Sequence, residues 1–211
     1  MNPSPAARHL DGMDQVRRAT LTDGPAVVKV LARAFADDPS IDWAIRGDGG
    51  RPRGIELFFE TVLERMTLPF GDVWTTTGGV RGAALWTPPG KWKLGLVEQL
   101  LMAPAMLSAF GWRRLGRALD SMKVVNAHHP PTPHYYLQSI GVAPEHQGHG
   151  LGKALMQPVL ARCDAEGLPA FLETAQERNL PLYRSRGFRE LSRAALAGGG
   201  PMMYFMWRDP Q

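Results

Sequence analysis

Apolar positions along the chain follow two periods, short alternating runs that read as strands and longer runs spaced by three and four that read as helices. "VRRAT" at 16–20 is short and partly alternating and predicts a first strand. From about Pro25, positions Ala26, Val27, Val30, Leu31 and Phe35 form one helical stripe, with Thr22 placed to cap it. "ADDPS" at 36–40 ends that helix, and a loop rich in glycine and arginine follows. Helical spacing resumes over 55–66 through Leu57, Phe58, Val62 and Leu63. Residues 73–77 and 80–86 are β-rich, and Gly78-Gly79 between them predicts a hairpin with a two-residue turn.

Proline clusters at 87–90 and 130–133 bracket a helical segment, about 91–128, which reads as an insertion: a lid, a substrate wall or a dimer surface. Beyond it come a strand at 134–142, a helix at 150–166 stopped by Gly167 and Pro169, and a strand at 170–174. A short helix at 179–185 is stopped by Gly187, and two closing strands, 188–191 and 202–207, flank Gly198-Gly199-Gly200. Pro158 lacks the N–H its helix needs and predicts a kink near Ala154. The alternation predicts a single α/β domain over 15–211 behind a loose tail at 1–14, which lacks the pattern of a signal peptide.

Composition narrows the class. In 211 residues, 44% hydrophobic, one sizeable core can form. The most apolar window, 94–110, is short for a membrane span and is interrupted by Glu98, Gln99 and Pro104, so no membrane partner is expected. The net charge of +4 is spread along the chain; the local group Arg113, Arg114 and Arg117 reads as a solvated helix face, and no nucleic acid is expected. Cys163 is the lone cysteine, four residues after Val159 and eight after Leu155, which places it in a core stripe and fits a reducing cytoplasm.

Candidate chemistry concentrates in "PEHQGHGLGK" at 144–153, where Gly148, Gly150 and Gly152 alternate between a strand and a helix. Such a loop exposes successive backbone N–H groups beside the positive end of the helix, an arrangement that binds phosphate. A dinucleotide fingerprint starting at Gly148 would need glycine where Lys153 stands. A nucleoside-triphosphate loop would need glycine at Gln147 and a hydroxyl at Ala154.

The remaining pattern, Gln147-Gly148-His149-Gly150-Leu151-Gly152, resembles the Q/R-x-x-G-x-G/A signature of the GNAT superfamily of acyl-CoA N-acyltransferases. The upstream "SIGV", the downstream "FLET", "NLPLY" and Gly187-Phe188 look like the same family in order. Within it, "ARAFADDP", "LWTPPG", "GVAPEHQGHGLG" and "PAFLETAQERNLPLYRSRGF" are similar to the puromycin N-acetyltransferase group. The resemblance implies a mixed, twisted sheet whose central strands splay apart, acetyl-CoA as co-substrate, and transfer of acetyl to an amine.

It also implies a set of site residues. Ile140, Gly141, Val142, Gln147, Gly148, His149, Gly150, Leu151 and Gly152 would line the cofactor; Lys153 would add charge near a phosphate or sit solvated in the first helical turn. Asn179 would bond the pantetheine arm, cap its own helix, or both. Tyr183 would donate to the CoA sulfur. The strand at 134–142 carries no carboxylate for the amine's proton, which leaves Glu173, in an otherwise apolar strand, as base or as a structural carboxylate. His134 is a second candidate. A metal site from His128, His129 and His134 lacks a completing ligand, and none is expected. Trp43, Trp86, Tyr135 and Trp92 would be core residues or the wall of an acceptor pocket. The expected substrate is a primary amine on a small molecule, attacked directly in a ternary complex; the apolar insertion would suit a homodimer.

Overall fold

The computed structural model describes residues 16–211, so the tail at 1–14 lies outside the described residues. Seven strands form one sheet among them: β1 (Val16–Arg18), β2 (Val73–Thr76), β3 (Gly82–Thr87), β4 (Tyr135–Val142), β5 (Ala170–Thr174), β6 (Arg189–Ala195) and β7 (Met202–Arg208). Their order is β1-β2-β3-β4-β5-β7-β6, and every neighbouring pair is antiparallel except β4 and β5. The helices are α1 (Gly24–Ala34), α2 (Pro39–Ala44), α3 (Arg51–Val62), α4 (Leu96–Phe110), α5 (Leu115–His128), α6 (Leu151–Glu166) and α7 (Leu180–Arg184).

Alternation along the strands gives the sheet two apolar faces. Ala84, Trp86, Tyr135, Leu137, Leu172, Tyr204 and Met206 meet Leu155, Met156, Val159 and Cys163 of α6 and Tyr183 of α7 on one face. On the other, Ala83 and Leu85 pack under α1, α3 and α4, while Phe171, Phe205 and Trp207 pack with Trp43 and with Val124 and Val125 of α5. Leu155, Met156, Val159 and Cys163 have no exposed surface, and each such side chain stabilises the fold by roughly 1.5–3 kcal/mol.

Helix α6 is tied down at its far end. Arg162 donates to both oxygens of Asp72, just before β2, at 3.0 and 2.7 Å, and Asp164 accepts from both terminal nitrogens of Arg208, on β7, at 2.7 and 2.8 Å. Bidentate pairs of this kind fix orientation, and they leave the α6 N-terminus pointing at a defined place. Pro158 does not end the helix, which runs unbroken to Glu166.

Three local expectations are corrected. Thr22 does not cap α1: Asp23 occupies the N-cap position, accepting from the Thr20 N–H at 2.7 Å, and Thr22 shares a hydrogen bond with the Thr20 hydroxyl. The hairpin turn is longer than two residues, because β2 ends at Thr76 and β3 begins at Gly82. The Thr76 hydroxyl closes this loop by donating to the Gly79 carbonyl at 2.6 Å and accepting from the Arg81 N–H at 3.0 Å. The stretch after α1 holds a helix, α2, instead of only loop, with Asp38 as its cap. The segment at 91–128 is helical as expected, as α4 and α5, and α4 leaves Leu96, Val97, Leu100 and Leu101 exposed. No helix among the described residues is long and apolar enough to cross a membrane.

Candidate active site

Strands β4 and β5 pair over only two positions, Tyr135 with Ala170 and Tyr136 with Phe171, although both strands continue further. Past that point they part. On its other side β4 stays paired with β3 to Val142, with Gln138 bulged between the Trp86–Leu137 and Leu85–Ser139 pairs, and β5 stays paired with β7 to Thr174. An added residue in one strand bends it, so the gap opens where the bulge lies.

The gap exposes backbone. The Ala143 N–H bonds back to Arg81 beside β3, so by the alternation of a strand the Val142 N–H and carbonyl point the opposite way, into the gap. That carbonyl accepts from Gln147 Nε2 at 3.0 Å. The Gln147 side chain therefore holds the loop against the strand end. Gly141 lets α1 lie directly on β4: a Cβ there would come within 2.8 Å of the Ala34 Cβ and 3.0 Å of Leu31. The close approach brings Ala34 and Phe35 to the cleft wall.

The cleft has a volume of about 360 Å³. Of the residues singled out from the sequence, Ile140, Gly141, Val142, Gln147, Gly148, Gly150, Leu151, Gly152, Lys153, Asn179 and Tyr183 all line it. His149 is exposed, and neither it nor Glu173 lines the cleft. Gly148 and Gly150 have φ of 80° and 83°, the left-handed region that side chains strain to adopt, and a Cβ at either would meet only open space. The first bond inside α6 runs from the Ala154 N–H to the Gly150 carbonyl at 3.1 Å. The N–H groups of Leu151, Gly152 and Lys153 thus belong to the unpaired first turn at the positive end of a 16-residue helix. Lys153 and Arg178 line the same mouth, so a pyrophosphate and its linker fit this donor set and the open space beside Gly148 and Gly150.

At the inner end the cleft changes character. Tyr183 on α7 is buried; burial, with the charges of Asp38 and Glu173, pushes its phenol well above the ordinary tyrosine value. It is therefore neutral with a proton to give. Glu173, on β5, is near enough for its charge to act on the Tyr183 phenol. Its Oε1 accepts from the Tyr136 hydroxyl at 2.5 Å, and its Oε2 is enclosed with no partner. Burial raises its carboxyl from 4.5 to about 7, against the lowering effect of the Tyr136 bond. A carboxylate at that value is half ionised near neutral pH, the condition that suits a general base.

The other candidates resolve differently. His134 and His129 face each other across 2.9 Å between their Nε2 atoms and stack within an aromatic group of Trp92, Tyr136, Phe171 and Trp207. Burial lowers both, His129 to about 3, so they stay neutral at physiological pH. Among the described residues no group of histidine, cysteine and carboxylate side chains could hold a metal ion. The four aromatics proposed as one acceptor wall divide: Trp86 and Tyr135 pack against α6, and Trp43 and Trp92 pack on the opposite face. Cys163 is wholly buried and its thiol is pushed up to about 12, which removes it as a nucleophile.

Asp38 escaped the sequence reading. It lines the cleft, is 4% exposed, and its Oδ1 accepts from the Ser40 and Ile41 N–H groups at 2.9 and 3.2 Å and from the Ser40 hydroxyl. Asp-Pro-Ser is a helix-start signal, and reading it as one would have revealed α2. Gln176 also lines the cleft, with no comparable signal, held by a bond from its Nε2 to the Asp37 carbonyl at 3.3 Å.

A phosphate cradle at one mouth, an unpaired strand edge along the wall and a neutral phenol at the inner end suit an acyl thioester carried on a long pyrophosphate-bearing arm, as acyl-CoA transferases require. Residues 85–188 match the model of the acetyltransferase (GNAT) family. An uncharacterized N-acetyltransferase of Schizosaccharomyces pombe is 30% identical over 187 residues, 82% of this chain and 73% of that protein. The crystal structure of a histone acetyltransferase HPA2 and related acetyltransferase from Corynebacterium glutamicum superposes with a TM-score of 0.73 at 27% identity, covering 94% of this chain and 98% of that one. The polyamine N-acetyltransferase of Drosophila melanogaster shares the fold, with a TM-score of 0.63 at 16% identity over 92% of this chain and 98% of that one. The chain belongs to the GNAT family of acetyltransferases and is an acyltransferase whose acetyl donor is acetyl-CoA.

Proposed function

We propose that the protein transfers acetyl from acetyl-CoA to the primary amine of a small molecule, by direct attack with both substrates bound. The observation that carries this reading is a phenol and a carboxylate near the place where β4 and β5 part: Tyr183, at the cleft, packs on the α6 side of the sheet, the two strands share only two register positions, and the charge of Glu173 acts on the Tyr183 phenol. Acetyl-CoA, when bound, supplies the thioester. The loop from Gln147 to Gly152 and the α6 N-terminus hold its phosphates, with Lys153 adding charge, and Val142 and Asn179 bond its arm along the open edge. Glu173 takes the proton that the amine loses on attack, and Tyr183 gives its phenolic proton to the departing sulfur, so the thiol leaves neutral.

The small-molecule acceptor is supported by enclosure. Phe171 and Phe205 are wholly buried, and Val124, Val125, Trp92 and Trp43 pack with them on the face that carries Tyr136, the donor to Glu173; a packed apolar surround of this kind suits a small acceptor better than a folded protein surface. The likeness of "ARAFADDP" and "PAFLETAQERNLPLYRSRGF" to the puromycin N-acetyltransferase group makes aminonucleosides one class to try.

The test is thiol release from acetyl-CoA against aminonucleosides, aromatic amines, diamines and peptides with free N-termini, with Tyr183→Phe in parallel. We expect turnover with at least one small amine, and a fall in kcat of about 10- to 100-fold in Tyr183→Phe while acetyl-CoA binding stays intact. Turnover confined to the peptides would overturn the acceptor class, and an unchanged kcat in Tyr183→Phe would remove Tyr183 as the acid.

A further inference from the structure

Tyr136 stands opposite Phe171 in the last register position that β4 and β5 share, at the point where the two strands part. Its hydroxyl spans to Glu173, two residues further along β5, and donates to Oε1, while Oε2 is left enclosed and unpartnered. Buried carboxylate oxygens are ordinarily served by donors. Here one oxygen is committed and the other is not, a division that fixes the plane of the carboxylate and leaves one oxygen for another donor.

The donor itself is held. The Tyr136 ring is 7% exposed, meets the His129 ring edge to face at 4.9 Å and 88°, and leans on Phe171 at 5.8 Å. His129 is fixed in turn. The Thr132 carbonyl, which only accepts, lies 2.6 Å from His134 Nδ1, so that nitrogen carries the proton; the His134 Nε2 then accepts from the Nε2–H of His129. Burial and the Glu173 charge keep the Tyr136 phenol protonated, far above the ordinary tyrosine value. It is a permanent donor on a rigid mount.

We infer that Tyr136 is a positioning residue for Glu173: it anchors Oε1 so that Oε2 alone faces the incoming amine. The inference rests on the reading of Glu173 as base and deepens it. The groups that act near Glu173 are the Tyr136 hydroxyl from β4 and Tyr183 from α7, and Tyr183 also feels the charge of Asp38, the cap of α2. From β7 its register partner is the apolar Phe205, with His128 of α5 stacked on that ring. The Tyr136 bond is the larger of the two hydrogen-bond effects that oppose burial in setting where Glu173 titrates, the other coming from backbone at Glu173 itself. Without it, burial is opposed less and the carboxyl holds its proton to higher pH.

The test compares the native chain, Tyr136→Phe and Glu173→Gln. Phenylalanine keeps the ring packing and removes only the hydroxyl. Infrared difference titration of the protonated carboxyl band, with Glu173→Gln as the blank, reads Glu173 without any substrate; its midpoint should rise from about 7 by about one unit in Tyr136→Phe. The pH dependence of kcat/KM with the best amine of the panel should move upward with it, and acetyl-CoA affinity should not change. An unmoved infrared midpoint in Tyr136→Phe would overturn the positioning role. If the midpoint moves but the native rate keeps its pH dependence in Glu173→Gln, the failure lies with Glu173 as base, and the positioning role falls with it.

Discussion

The outer mouth of the cleft and its inner end are built in contrasting ways. The mouth comes mainly from the stretch Ile140 to Lys153, joined by Arg178, and works chiefly through backbone: a strand edge, two left-handed glycines and a helix end. The inner end gathers side chains from separate elements, with Tyr136 on β4, Glu173 on β5, Tyr183 on α7 and Asp38 before α2. A backbone site depends on conformation and tolerates change in most side chains. A side-chain site depends on identity at each position, and one lost atom there removes a step. Substitutions at the two ends should therefore separate cleanly in kinetics, the mouth acting on acetyl-CoA affinity and the inner end on the rate of transfer.

The largest separation is expected from Glu173→Gln. It should lower kcat/KM for the amine by roughly 100-fold or more, with acetyl-CoA affinity preserved; a loss smaller than tenfold would move the base elsewhere, with Asp38 next in line. The same variant has an opposite effect on stability. The Glu173 carboxyl titrates at about 7 in the folded chain against 4.5 when exposed, so the folded state binds the extra proton and stability declines as pH rises between those values. Gln should melt higher than the native chain at pH 8 and no higher near pH 4, as thermal melts at the two pH values would show.

A smaller effect, of the other kind, is expected from Gly150→Ala. A side chain at φ of 83° costs about 1–2 kcal/mol; where the free loop relieves that strain by leaving the cradle conformation, binding must restore it, so acetyl-CoA Kd should rise by up to roughly 5- to 30-fold by calorimetry, with kcat at saturating acetyl-CoA nearly unchanged. A fall in kcat as large as the rise in Kd would blur the division between the two ends. The smallest effect belongs to the exposed pair of Arg33 on α1 with Glu145 before the glycine loop, bonded at 3.0 and 2.8 Å. Solvent screening leaves such exposed pairs little net energy, so Arg33→Ala should change acetyl-CoA Kd less than about fivefold.

The same contrast explains what could be read from sequence. The mouth was legible because a backbone site needs glycines at fixed spacing, and Gly148, Gly150 and Gly152 announce it directly. The strands β3, β4, β5 and β7 and the helices α1, α3, α6 and α7 were legible because their apolar periods are regular. The turn between β2 and β3 was misjudged, since Gly78-Gly79 signals a tight hairpin while Thr76 draws the loop wider through its own bonds. The inner end was half legible. Glu173 stood out as a carboxylate among apolar neighbours, and Tyr183 by resemblance. Tyr136 carried no mark, because its role depends on a cross-strand register that fails after two pairs. Trp43 and Trp86 could not be assigned to opposite faces without knowing which strands and helices meet.

Cys163 has a practical consequence. It is the chain's lone cysteine, it is wholly buried on the sheet-facing side of α6, and its thiol resists ionisation to about pH 12, so the native protein presents no reactive sulfur to a thiol reagent. Colorimetric readings of released CoA then carry almost no background from the folded enzyme. A single cysteine introduced at exposed Leu100 or Leu101 on α4 would accept a probe at one known place, giving a direct optical view of the insertion as substrates arrive.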